Sequence, residues 1–424
     1  MSERETLVIV GAGLAGAKAA QALRERGFTG RLMLFGEETH LPYERPPLSK
    51  GYLAGSAERD SMLVHAGDWY SQQEVELRLG RRVTGLDRAG HLVQLAGGEQ
   101  VRYDRLLLAT GARPRSLPVP GAESQGVYSL RTVGDSDRLR AMLADGARAA
   151  GSRLVIIGGG WIGLEVAAAA RQAGWEVTVV ETGALPLLAA LGPQAAAIFA
   201  QLHRDHGVGF RFDATVTEIR TEQGAATGVA LGTRTGGEVL PADAVLVAIG
   251  ASPNTDLAAA AGLDVDNGVL TDAGLRSSDP DIFAAGDVAN ALHPFYGHRV
   301  RVEHWANALN QPQVAAASML DEPNASYDRL PYFYTDQYDL GMEYVGLLHR
   351  DESGGAGYDE MVVRGDVARR EFVAFWLRER RVVAGMAVNI WDMIDPIREL
   401  IVSRATVDAA SLTDPAVELS ASAR

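Results

Sequence analysis

The chain carries the same turn twice. An apolar run, Leu7–Val10, leads into Gly11, Gly13 and Gly16, and an alanine-rich stretch extends to Gly27. A second run, Leu154–Ile157, leads into Gly158, Gly160 and Gly163, and its alanine-rich stretch extends to Gly174. Each continues into another apolar run, Arg31–Phe35 or Glu176–Val180, and soon after each comes an acid, Glu37 or Glu181. The pattern predicts strand, glycine turn, helix and second strand, in which the helix is the crossover that two parallel strands require. Gly11 and Gly158 lie 147 positions apart, so this is a duplicated domain type and not the short period of a solenoid.

The glycines have separate tasks. The first makes the tight bend, the second lets backbone amides approach a pyrophosphate, and the third lets the helix pack close to the strand. The phosphates then face the helix start, at Leu14 and Ala15 in one copy and Ile162 in the other. An acid at the end of the second strand can accept hydrogen bonds from ribose hydroxyls. Two such units predict two dinucleotides, one held permanently and one exchanged. After Glu181 comes Thr182-Gly183-Ala184-Leu185, with no arginine to receive a 2′-phosphate, which favours NADH over NADPH.

Composition removes other chemistry. The chain has 424 residues and no cysteine, which excludes disulfides, thiolate-held iron–sulfur clusters, zinc ribbons, a thiolate nucleophile and an internal redox dithiol. A net charge of −14 argues against nucleic acid or an anionic membrane as the main partner. The longest uncharged stretch, Thr182–Leu202, is broken by Pro186, Gly192 and Pro193, so a buried loop and helix is expected there, and no membrane span. The N-terminus has no apolar signal core, and a cytoplasmic location is expected. His203 and His206 flank Asp205 with no further ligand nearby; a solvated helix face is expected, and no metal. Only two basic residues are lysines, Lys18 and Lys50.

Between and after the repeats, Leu106–Ala109 closes with Thr110-Gly111, Asp243–Ile249 closes with Gly250, and Ile282–Ala285 closes with Gly286-Asp287. A helix is expected from about Glu303 to Leu320. Beyond Asp321-Glu322-Pro323, aromatics cluster at Tyr332, Phe333, Tyr334 and Tyr338, and strand-like runs follow. The fold class expected is α/β: two Rossmann-like dinucleotide-binding domains plus a C-terminal α+β domain. The domains expected are 1–112 with 248–323, then 113–247, then 324–424.

The runs VIVGAGLAG (8–16), PYERPPLSKGYL (42–53), LLLATGARPR (106–115), VIIGGGWIGLEVAA (155–168), DIFAAGDV (281–288), RVEHWANAL (301–309) and TDQYDL (335–340) resemble the putidaredoxin reductase-like family. These are FAD-containing ferredoxin reductases of oxygenase systems, and the likeness covers nearly the whole chain. It implies non-covalent FAD in the first domain and NADH in the second. Ala15 and Glu37 would then contact the adenosine half of FAD, with Val83 on the adenine side. Arg45 and Lys50 would lie near the flavin, and Ala109 and Gly111 at the crossover between domains. Arg131 would approach the isoalloxazine or pyrophosphate, Asp287 the ribityl chain, and the Trp305 backbone the pyrimidine end. Gly160, Ile162, Glu165, Glu181 and Gly250 would serve NADH, with Glu165 paired to Lys50 beside the nicotinamide.

The implied reaction is hydride transfer from NADH to the flavin, then one-electron delivery to a ferredoxin that supplies a haem monooxygenase or a ring-hydroxylating dioxygenase. The same motifs also suit an NADH oxidase or quinone reductase, and a redox sensor like apoptosis-inducing factor. A monomer or weak dimer is expected. The family tends to carry a tryptophan where this chain has Tyr334, and an arginine near Gln311-Pro312-Gln313. Arg369, Arg370, Arg378, Arg380 and Arg381 are therefore the alternative candidates for docking an acidic ferredoxin.

Overall fold

A computed structural model describes residues 5–146, 151–233, 236–348 and 357–422. The chain divides into two compact units: Met1–Glu44 with Arg59–Arg113 and Ala251–Pro331, and Arg45–Glu58 with Pro114–Gly250 and Tyr332–Arg424.

In the first unit five strands form one parallel sheet, ordered Ile282–Ala284, Arg105–Leu108, Thr6–Val10, Arg31–Phe35 and Val75–Arg78. Leu7, Val8 and Ile9 are fully buried, as expected for a strand covered on both faces, where an uninterrupted apolar run replaces alternation. One face packs on helix Leu14–Glu25 through Ala15, Ala19, Ala22 and Leu23, together with Ala315, Ala316 and Met319 of helix Trp305–Met319. Small side chains let these layers approach closely. The other face is covered by Val93, Leu95 and Val101 of a three-stranded antiparallel sheet.

The second unit repeats this design. Its parallel sheet runs Gly209–Arg211, Glu176–Val180, Arg153–Ile157, Ala244–Val247, Val127–Tyr128. Helix Trp161–Gln172 follows the second glycine turn. From Leu188 the uncharged stretch enters helix Leu188–Asp205, interrupted at Gly192, where φ is +76° and Pro193 follows. The C-terminal residues build an antiparallel sheet of their own, ordered Tyr332–Gln337, Leu340–Gly346, Arg381–Val388, Glu371–Arg378, Glu360–Asp366. It shares a core with the Rossmann helices of this unit: Leu164, Leu191 and Phe199 cluster with Leu340, Met342 and Trp376. The Trp376 indole donates to the Leu191 carbonyl at 3.0 Å. The run Pro46–Tyr52 is anchored here too, because Ser136 Oγ donates to the Leu48 carbonyl at 2.8 Å and Tyr52 donates to Asp137 at 2.5 Å.

Among the described residues no helix is long and apolar enough to cross a membrane. His203 departs from the expected solvated face. It is fully buried in helix Leu188–Asp205, and burial pushes its imidazole down to about 4. The unfolded chain takes up this proton near pH 6.5 and the folded chain does not, so stability should fall with pH from about 6.5 to about 4, by roughly 1.4 kcal/mol per unit for this one group. Thermal melts across that window should show a shallower slope in His203→Gln, by about one proton. An identical slope would show that His203 does not set it.

Candidate functional site

The first glycine turn is closed by sterics. Gly11 has φ +117°, and a Cβ there would lie 2.1 Å from the Ala109 carbonyl oxygen. A Cβ on Gly16 would lie 1.9 Å from the Gly11 carbonyl oxygen. Around Gly13, by contrast, a Cβ would meet nothing within 4 Å. Helix Leu14–Glu25 starts there with no side-chain cap, so its first amides face open space. That arrangement fits a pyrophosphate, which brings its own acceptors and negative charge.

The remaining first-unit candidates are placed as follows. The Gly286 amide donates to buried Gln311 at 2.7 Å, which fixes the turn carrying Asp287. Asp287 is 9% exposed, and its carbonyl accepts from Arg301 at 3.3 Å. Trp305 opens its helix. Asn254 staples the crossover: its side chain donates to the Thr110 carbonyl at 2.8 Å and its amide to the Gly111 carbonyl at 2.9 Å. Ala109 is buried, and Val83 packs partly buried on the second core. Glu37 is largely exposed, 3.6 Å from Arg82.

The second turn repeats the first. Gly158 has φ +107° and a Cβ there would lie 2.4 Å from the Ala248 oxygen; Gly160 again faces open space, and Gly163 abuts the Gly158 carbonyl. Ile162 is 40% exposed at the helix start, an apolar side chain left uncovered beside the turn. Glu181 is preorganised: its carboxylate accepts from the Gly159 amide at 2.7 Å and the Gly183 amide at 2.9 Å. The sheet also brings Arg211 opposite Val180, a basic residue that no local reading of the strand end finds. Its guanidinium is already bound on two sides by Glu238, at 2.8 Å each. The Gly250 carbonyl accepts from the Arg115 amide at 2.9 Å.

The third cluster joins charges. Lys50 Nζ lies 2.7 Å from Glu165 Oε1, with side chains 14% and 5% exposed. Glu165 also accepts from the Ser49 hydroxyl and, at 2.6 Å, from Thr335. The Lys50 ammonium sits 5.5 Å from the Tyr334 ring centroid. Partial burial raises the Asp336 carboxyl above the usual range, against the pull of Lys50. A buried ion pair this well satisfied holds one ammonium in a fixed place, which is what electrostatic stabilisation of developing negative charge needs. Arg45 and Arg131 meet nearby, the Arg45 guanidinium donating to the Arg131 carbonyl, while the Arg131 amide donates to Asp135 at 3.0 Å.

Sequence reasoning paired Lys50 with Glu165 but missed Ser49, Thr335 and Gln311. Nothing local marks them: each acts on a group far along the chain. The proposed docking arginines are mostly engaged by acids. Arg370 pairs with Asp205 and Asp339, Arg369 with Asp366, and Arg381 with Glu379. Tyr334 and Gln311 occupy positions inside the fold's own chemistry, one over Lys50 and one holding Gly286.

Residues 5–312 match the family described as pyridine nucleotide-disulphide oxidoreductase, and residues 332–423 match the reductase C-terminal domain. The chain is 43% identical over 416 residues to the ferredoxin–NAD(+) reductase component of an anthranilate 1,2-dioxygenase system from Burkholderia cepacia, covering 98% of both chains. It is 39% identical to the putidaredoxin reductase of Pseudomonas putida, covering 99% of this chain and 97% of that one. The reductase in a crystal structure of the covalent putidaredoxin reductase–putidaredoxin complex superposes with a TM-score of 0.91 at 38% identity, over 98% of this chain and 97% of that one. With both Gly turns, the cysteine-free composition and these likenesses together, the chain belongs to the pyridine nucleotide-disulphide oxidoreductase family, in its putidaredoxin reductase-like branch.

Proposed function

We propose that this protein is an NADH-dependent ferredoxin reductase, which passes electrons from NADH through non-covalent FAD to a small iron–sulfur ferredoxin serving an oxygenase. One observation carries the reading: two dinucleotide cradles and a reductase C-terminal domain stand in one chain that has no cysteine. With no cysteine pair in the chain to receive them, electrons must pass outward. The chemistry that FAD supplies when bound is the conversion of a two-electron donor into one-electron output.

Residues 1–112 and 248–323 hold FAD in this reading, 113–247 hold NADH, and 324–424 form the C-terminal domain. The amides at the start of helix Leu14–Glu25 receive the FAD pyrophosphate, and those after Gly160 receive that of NADH. Asp287, fixed behind Gly286 by Gln311, accepts from the ribityl hydroxyls. Glu181 accepts from the adenosine ribose. Lys50 serves the flavin, held in place by Glu165.

The purified protein should be yellow with about one FAD per chain. Under anaerobic conditions NADH should reduce a [2Fe–2S] ferredoxin faster than it reduces quinone, and in air faster than it consumes oxygen. A well-folded protein that takes up no FAD on reconstitution sinks the reading. Turnover with oxygen or quinone but none with any ferredoxin would turn it into an oxidase or quinone reductase.

A further inference from the structure

Behind Glu165 runs a buried chain of hydrogen bonds that the reaction just proposed does not use. Thr335 Oγ1 donates to Glu165 Oε1 at 2.6 Å, and Gln337 Nε2 donates to Thr335 Oγ1 at 3.1 Å. His203 Nε2 lies 2.8 Å from Gln337 Oε1, and the Tyr338 hydroxyl lies 3.4 Å from His203 Nδ1. Thr335, Gln337 and His203 are 0%, 1% and 0% exposed. Because an ionised carboxylate only accepts, its charge dictates every direction. Thr335 must give its proton to Glu165, so its oxygen accepts from the Gln337 amide. The Gln337 carbonyl must then accept from His203 Nε2–H, which leaves Nδ1 as the acceptor for Tyr338. No member can turn round without leaving a buried polar atom unpaired.

The turn that ends the chain is itself held against local preference. Tyr338 has φ +57°, a left-handed backbone that is an outlier for an aromatic residue, and its ring stacks on His206 with centroids 3.6 Å apart. Such strain persists only where the surroundings determine it.

We infer that Thr335, Gln337 and His203 are positioning residues for the Lys50–Glu165 pair: the chain fixes the carboxylate, and the carboxylate fixes the ammonium. This deepens the proposed function and rests on the role given there to Lys50. It also assigns work to the Thr335–Tyr338 run, which would otherwise be only a hairpin.

The test uses the FAD-loaded enzyme. Thr335→Val keeps the shape and removes the donor; Thr335→Ser keeps the hydroxyl. Losing one hydrogen bond to a charged group should slow anaerobic flavin reduction by NADH about tenfold or more in Thr335→Val, with the NADH KM within about twofold, while Thr335→Ser returns to within about twofold of wild type. In a Lys50→Met background Thr335→Val should cost almost nothing further, because both act through one pair.

A second readout needs no turnover. Lys18 and Lys50 are the chain's two lysines, so acylation by an amine-reactive acetate ester, read by mass spectrometry, compares Lys50 with an internal standard. The ratio of Lys50 to Lys18 labelling should rise several-fold in Thr335→Val and return in Thr335→Ser. Gln337→Met, which fills similar space and breaks the chain one link further back, should move both readouts in the same direction. Wild-type rate and labelling in both Thr335→Val and Gln337→Met overturn the inference alone. A Lys50→Met enzyme that is reduced at the wild-type rate overturns the role of Lys50, and the inference with it.

Discussion

Lys50→Met is expected to slow reduction of the bound flavin by NADH by about 10²–10³-fold, the usual loss when one preorganised electrostatic stabiliser is removed. FAD binding should change far less, since in the proposed reading the FAD pyrophosphate is received by backbone amides at the start of helix Leu14–Glu25 and not by Lys50. The ammonium is suited to the task because it is held. Glu165 pairs with it at 2.7 Å, and both side chains are largely removed from water. An ammonium already desolvated and aimed needs no reorganisation when negative charge develops near it. Methionine keeps the length of the stem and removes the charge.

The substitution also leaves Glu165 buried without its cation, and breaking one partner of a buried pair typically costs about 3–5 kcal/mol of stability. Melting temperature and FAD content must therefore be read beside the rate. A variant that is less stable but reduced at the wild-type rate would return Lys50 to a structural role. A variant that loads FAD normally and is reduced slowly would place the effect in the chemical step.

NADH is expected to exceed NADPH in kcat/KM by about 10–1000-fold, on the basis of about 1.5–3 kcal/mol for a charged hydrogen bond together with a repelled phosphate. The two amides that hold Glu181 fix its carboxylate at the end of the strand, where it can accept from a 2′-hydroxyl and opposes a 2′-phosphate. The guanidinium that the sheet brings opposite Val180, that of Arg211, is occupied by Glu238. Negative charge is thus presented and positive charge is withheld. Glu181→Ala should narrow the preference by about tenfold or more. Adding Glu238→Ala should narrow it further, mainly by improving NADPH, since the released Arg211 can then turn towards the phosphate. If wild type uses both cofactors equally, Glu181 does not meet the ribose.

Charge distribution bears on electron exit in the same way. A run such as Arg369–Arg370 or Arg378–Arg381 reads as basic in the sequence. In the fold Arg370 lies against Asp205 and Asp339, which are far away in the chain, and the surface it offers a ferredoxin is correspondingly less positive. Exposed pairs of this kind are worth little in stability, but they cancel the field that would steer an acidic partner.

The two glycine turns were legible in the sequence because their physics is local. Three glycines within six positions determine the bend, the open space and the helix start, and the residues that would clash with a Cβ are reached by the turn itself or by the neighbouring strand. The apolar runs and the acids that follow them specified parallel sheets for the same reason: the period of hydrophobicity is a property of adjacent residues. Absence of cysteine excluded an internal redox dithiol. Only the tertiary structure decided what surrounds Glu165. Its partners come from Ser49–Lys50, more than a hundred residues before it, and from Thr335, 170 residues after it. No spacing rule connects them, because helix Trp161–Gln172, which carries Glu165, meets the C-terminal antiparallel sheet only through a shared tertiary core. His203 shows the same limit. Beside Asp205 and His206 it reads as solvated, yet the C-terminal sheet covers it and turns it into a buried hydrogen-bonding group. Burial depends on what packs from outside the helix, and a helix does not carry that information in its own residues.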